Sequence, residues 1–348
     1  MSTLTHKQRV HNAIKWKPVD RLPVFTGGTF PKLIGRNYNR DYLHDADAIA
    51  QTALKQWEVF EADAVGVGSG GSLEVLANAK QVWPENDYPM FLEPVIKSRE
   101  DVDNLHVPTE EELAKDERVA AGLKAIQIVR KALGPDVPLT GMATGAFNSA
   151  GKLTGTSELM RWLAQDPELV WQLNLAITQT TINHVKLQVK AGIDIIHMPD
   201  ATSSPACISP KQFTKHALPH HKAVIQAIHD AGAIAKFHPC GGEYPIIDQL
   251  AETKADILHF TELVDLGVAQ KIFVQRHAVA GGVDIVTGPL FLGGPDEVDA
   301  YIKTLIEGLK FKTGTLIMPS CGLSPNIPIE NIVAYVKAVK KYSKGSLR

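Results

Sequence analysis

Short apolar runs alternate along the chain with longer stretches in which apolar residues recur at helical spacing. The runs are RLPVF (21–25), ADAVGVG (62–68), VPLTGM (137–142), GIDIIHM (192–198), GAIAKFH (232–238), ADILHFT (255–261), AVAGGVDI (278–285) and GTLIMPS (314–320). Each is bounded by Gly, Pro or Asp, as expected of a strand covered on both faces. Helical periodicity fills 157–192, which ends at Gly192, then 209–232, which opens on Ser-Pro and ends at Gly232, and 294–310. Eight strands alternating with helices predict an α/β fold, a (β/α)8 TIM barrel in a single domain over 1–348; a doubly wound open sheet is the alternative. The stretch 26–136 is long for two βα units and predicts an insertion near the N-terminus, lying over the barrel mouth.

Composition adds little to this pattern but excludes several classes. Of 348 residues, 44% are hydrophobic and 21% charged, and the formal net charge is -2, which gives no footprint for nucleic acid. The first residues lack the apolar core of a signal peptide, and no run approaches the roughly 20 apolar residues of a membrane span. Only Cys207, Cys240 and Cys321 are cysteines, which argues for a reducing compartment and a cytoplasmic protein.

A barrel places its chemistry where strands end and βα loops begin. The fifth run ends in KFHPCGG, so His238 and Cys240, at i and i+2 of an extended chain, would point to one side, with Gly241 and Gly242 leaving space. The eighth run ends in MPSCGLSP and brings Cys321 to the same face. One nitrogen and two sulfur donors suit Zn²⁺ and leave a fourth tetrahedral position open, as in a catalytic zinc site. Taken one at a time, a free Cys is as readily a small core residue. Two of three cysteines at strand ends, one beside a His, favour the metal. Cys207, in SSPACISP, has no such neighbour and reads as a structural thiol.

Among acids at strand ends, Asp200 closes HMPD, above His197, and is a candidate to orient a ligand or act as general acid; it could equally start an Asx turn. Glu262, in HFTEL, is a candidate to close the fourth metal position or to lie just outside it. Asp284 is a further mouth acid with a weaker claim. The Gly-rich GVGSGGS and TGMATGAFN would leave room for a large flat group and match no phosphate-binding loop.

With HPCGG and SCGLSP in view, the sequence resembles the uroporphyrinogen decarboxylase superfamily, in its branch of zinc-dependent, corrinoid-linked methyltransferases, the methylcobamide:coenzyme M methyltransferases. The resemblance also covers KQRVHNAIKWKPVDRLPV, KALGPDVPL, AGIDIIHMPDATSSPACISPKQF and PSCGLSPNIPIENIVAYVKA. It implies a (β/α)8 barrel, zinc on His238, Cys240 and Cys321, and methyl transfer between a corrinoid and a small thiol acceptor or methylated donor. The chain has no Asp-x-His-x-x-Gly corrinoid signature, so the corrinoid is expected on a partner protein, docking near 26–36, 68–80 and 142–153. The alternative is a tetrapyrrole decarboxylase of the same superfamily. Arg36 and Arg40 are present, but not in the pattern such an enzyme would be expected to carry, and the second loop has no Asp.

Overall fold

A computed structural model describes residues 4–68, 70–84 and 89–345. Seven parallel strands form one sheet in chain order: β1 (Val65–Gly66), β2 (Leu139–Met142), β3 (Ile195–Pro199), β4 (Ile234–His238), β5 (Ile257–His259), β6 (Ala278–Val283) and β7 (Thr315–Pro319). Six lie within the expected runs, and β3 passes the end of its run, 192–198, by one residue, Pro199. The first run contributes a single parallel bridge, Val24 to Ile317. Phe25 N donates to Ile317 O and Ile317 N to Pro23 O, while Asp63 N donates to Val24 O on the other side. Pro23 has no N–H to give, which keeps this element short. Segment 22–25 thus connects the two edges of the curled sheet.

Alternation along the strands separates two cores. Ile195, Ile257, Ala278, Ala280, Leu316 and Met318 pack together inside with Phe25, and Val10 of the helix His6–Ile14 joins them. Their neighbours Ile196, Phe237, Leu258, Val279 and Ile317 belong to the larger core under the helices. The period of two along a strand gives this division directly.

Two helical patterns are interrupted, both at proline. The stretch 157–192 splits into Thr156–Gln165 and Pro167–Ala191. Asp166, preceding Pro167, is driven out of helical geometry and instead accepts from Leu169 N. In 209–232, a π-turn over Phe213–Ala217 precedes Leu218–Asp230, where Pro219 cannot donate to the carbonyl four residues back. The excess length before β2 lies mainly in the β1–β2 connection, which holds the helices Ser72–Ala77, Arg99–Asp103, Glu110–Lys115 and Glu117–Leu133. Residues 70–74 of it line a cavity of about 170 Å³ with Met142, Ala143 and Thr144.

The N-terminal end of the ring is sealed by a buried ion network. Asp63, with no exposed surface, sits 2.8 Å from Arg9 Nη1, 2.5 Å from Arg21 Nη1 and 3.0 Å from His6 Nδ1, and accepts from Val24 N. Among the described residues no helix is long and apolar enough to cross a membrane.

Candidate metal centre

β4 ends at His238, and the chain then turns sharply. Cys240 adopts the left-handed region at φ 53°, followed by Gly241 at 152° and Gly242 at 68°. The expectation that His238 and Cys240 converge along an extended strand is therefore corrected: the left-handed turn swings Cys240 to its place. The glycines are needed for the turn and for close approach. A Cβ on Gly241 would lie 2.4 Å from Ser204 Oγ.

From β7, Pro319 leads through Ser320, whose N–H donates to Val283 O, to Cys321. Cys240 Sγ and Cys321 Sγ are 3.6 Å apart. Two sulfurs bound at about 2.3 Å in a tetrahedron are about 3.8 Å apart, so the spacing suits one metal ion. His238 Nδ1 donates to His259 O at 2.9 Å, which leaves Nε2 as the lone-pair nitrogen. That Nε2 is buried and has no hydrogen-bond partner. The donor atoms of His238, Cys240 and Cys321 all lie within 4.8 Å of one another, the one such group of three or more among the described residues.

The thiols are electrically unequal. Cys321 is pulled well below the ordinary thiol value by the hydrogen bond from Cys240 and by His238, against its burial. Cys240 is pushed up by that same hydrogen bond, by burial and by the charges of Cys321, Glu243 and Glu262. The contact between the two sulfurs thus couples them, favouring the loss of one thiol proton and retention of the other.

Glu243 was not singled out in the sequence. It has no exposed surface, and its carboxylate accepts from Thr261 N and Thr261 Oγ1. Among the described residues no Lys or Arg forms an ion pair with it. Glu262, next to Thr261, is half-buried and near enough to act on Cys240 by its charge, but lies outside the close group of donors. The rings of His197 and His259 share the barrel interior with His238, and Lys236 is buried beside them with Met318 Sδ 3.9 Å away.

Asp200 stands differently from its expected place at the mouth. It is fully buried, and its oxygens accept from Phe147 N and Asn148 N and meet His221 Nε2 at 2.8 Å. Its own N–H donates to His238 O. A carboxylate so engaged anchors the helix Ala146–Thr154 against β4. Asp284 is likewise engaged, accepting from Val286 N, Thr287 N and Thr287 Oγ1 in its own turn. Cys207 is exposed and stands apart from the three donors. Arg36 faces Asp45 at 3.4 Å.

Residues 5–342 match the family described as Uroporphyrinogen decarboxylase (URO-D). The chain is 27% identical to the methylcobamide:CoM methyltransferase MtaA of Methanosarcina barkeri over 365 aligned positions, covering 98% of this chain and 99% of that one. It is 24% identical to the uroporphyrinogen decarboxylase of Geobacter sulfurreducens, covering 94% of this chain and 96% of that one. A solved methyltransferase from Methanosarcina mazei has the same fold, with a TM-score of 0.82 at 24% identity over 97% of this chain and 99% of the other.

Proposed function

The chain belongs to the uroporphyrinogen decarboxylase family, and from that premise we propose that it is a methyltransferase moving a methyl group between a corrinoid and a small molecule, at zinc held by His238, Cys240 and Cys321. The observation that carries this reading is the convergence of one imidazole nitrogen and two thiol sulfurs within 4.8 Å. Its similarity to the Methanosarcina barkeri methylcobamide:CoM methyltransferase supports the choice of reaction. Counting segment 22–25 as the eighth strand, we read the architecture as a (β/α)8 barrel in one domain over 1–348, with the β1–β2 connection at its mouth. The three free thiols fit a reducing cytoplasm.

A bound zinc ion supplies Lewis acidity, which lowers the pKa of a thiol or polarises a methylated heteroatom. The chain's own groups prepare for it. His259 O holds His238 in the tautomer that presents Nε2. Cys240 and Cys321, coupled through their hydrogen bond, would bind as thiolates, so metal uptake would release thiol protons. Glu262 is placed to approach the fourth position when no substrate fills it. Asp200 acts through position, tying the 146–148 turn to β4. In one direction a thiol sulfur would take the methyl group from a methyl-cobalt(III) corrinoid, losing its proton as the carbon–cobalt bond breaks to leave cobalt(I); in the other a methylated heteroatom would yield its methyl group to a cobalt(I) corrinoid, giving methyl-cobalt(III), and leave with a proton. The corrinoid arrives on a partner protein, because this chain has no Asp-x-His-x-x-Gly signature.

Purified protein is expected to hold about one zinc. Cys240→Ser and Cys321→Ser are each expected to lose the metal and at least about a hundredfold of methyl transfer. Stoichiometric zinc retained in both variants would overturn the site. Demethylation of free methylcobalamin on addition of a small thiol marks an acceptor-side enzyme; reaction only of cobalt(I) corrinoid with a methoxy or methylamine compound marks a donor-side one.

A further inference from the structure

We propose that His259 is a positioning residue, a strut across the inside of the ring that sets His238 on β4 and Cys321 beyond β7 at metal-binding distance. The inference rests on the reading that His238, Cys240 and Cys321 hold a metal.

Three contacts of one buried residue carry it. The His259 carbonyl accepts from His238 Nδ1 at 2.9 Å. Its ring stacks on the His238 ring, with centroids 4.1 Å apart and planes 24° apart. Its Nε2 donates to Pro319 O at 2.8 Å, two residues before Cys321. With Nε2 donating, Nδ1 carries no proton, and it has no partner. His259 therefore grips both ligand-bearing strands at once.

Strand order makes this unusual. β5 pairs with β4 and β6, but not with β7. To reach Pro319, the His259 ring must pass over β6, and there the inward residues are small. His259 is in register with Ala280, and Gly282 follows two residues on. The β6 sequence AVAGGV thus clears the path the imidazole crosses. Side chains in contact with a metal ligand fix its orientation, and their loss costs about ten- to hundredfold in metal affinity.

The test compares wild type, His259→Phe and His259→Gln by zinc competition against a chelator, by the visible spectrum of the cobalt(II)-loaded protein, and by the Tm of the metal-free protein. Phe keeps a ring on His238 but has no donor for Pro319 O; Gln keeps a donor. His259→Phe is expected to raise the zinc Kd about ten- to hundredfold and to shift the thiolate–cobalt bands, while His259→Gln recovers most of the affinity. A Kd for His259→Phe within about twofold of wild type overturns the inference alone. So do equal losses in the two variants that track a fall in metal-free Tm, since these mean packing only. Wild-type protein that takes up no zinc overturns the metal reading and this inference with it.

Discussion

Cys240 is the residue on which the geometry turns. A non-glycine residue in the left-handed region costs on the order of 1–2 kcal/mol, and the chain meets that cost to bring one sulfur within 3.6 Å of another. Gly241 makes this possible, so Gly241→Ala is the informative change. Its φ of 152° and the 2.4 Å approach of an added Cβ to Ser204 Oγ both oppose a methyl group. The variant is expected to lose about 1–3 kcal/mol in urea unfolding and to bind zinc more weakly. Adding Ser204→Gly should restore part of the loss, by removing the clash but not the backbone strain. Unchanged stability and affinity in Gly241→Ala would show that the turn tolerates a side chain. The three candidate donors stood out in the sequence because their residue types are scarce and all fall at strand ends. Glu243 and His259 were not. An acid in a loop and a His in an apolar run carry no mutual spacing, and their meaning comes from neighbours brought by the fold. Asp200 shows the limit from the other side. A strand-ending Asp reads alike whether it faces substrate or caps a helix. Gly145 decides, because a Cβ there would stand 2.3 Å from Asp200 Oδ2 and keep the carboxylate from the helix start.

At the scale of elements, all seven strands overlap expected runs because apolar content and flanking breakers coincide there. Helix ends were harder to read. The period of 3.6 continues through Asp166–Pro167, and only the proline's effect on the preceding residue stops the helix. The role of the helix His6–Ile14 was also hidden, since its Arg9 looks like a surface charge until Asp63 is placed beneath it. Burial pushes the Asp63 carboxyl up, but His6, Arg21 and Arg9 outweigh that and hold it well below the usual carboxylate range. A folded-state value below the unfolded one, about 3.9, contributes stability that is fully present above the unfolded value. That stability is lost as pH falls through the folded value. Asp63→Asn removes one partner of a buried charge network and is expected to cost about 3–5 kcal/mol near neutral pH. Its disadvantage should shrink as the pH is lowered below about 4. Urea midpoints measured against pH check this, and a constant gap between variant and wild type down to strong acid would count against it.

Across the whole molecule, the chain divides its labour between the two ends of the ring. The N-terminal end is closed by the helix His6–Ile14 and its ions, whereas the C-terminal end carries the three donors. Large apolar side chains exposed at that end, Tyr244, Leu263, Val286, Phe291 and Leu292, lie on the loops after β4, β5 and β6. Met142, exposed as well, closes β2 and opens the stretch 142–153 that the sequence suggested for a partner. The two sulfur donors also stand 81 positions apart along the chain. An ion gripping both would act as a removable cross-link around β5, β6, β7 and their helices. By loop-closure entropy, a tie across a span of that length is worth on the order of 4 kcal/mol against the unfolded chain. Stripping the metal with a chelator should therefore speed amide hydrogen exchange in β5, β6 and β7 while leaving β2 and β3 slow; uniform exchange across all five strands would deny the tie. The centre would then be a clasp as well as a place of reaction, and a protein short of zinc would open first along the three strands that the clasp encloses.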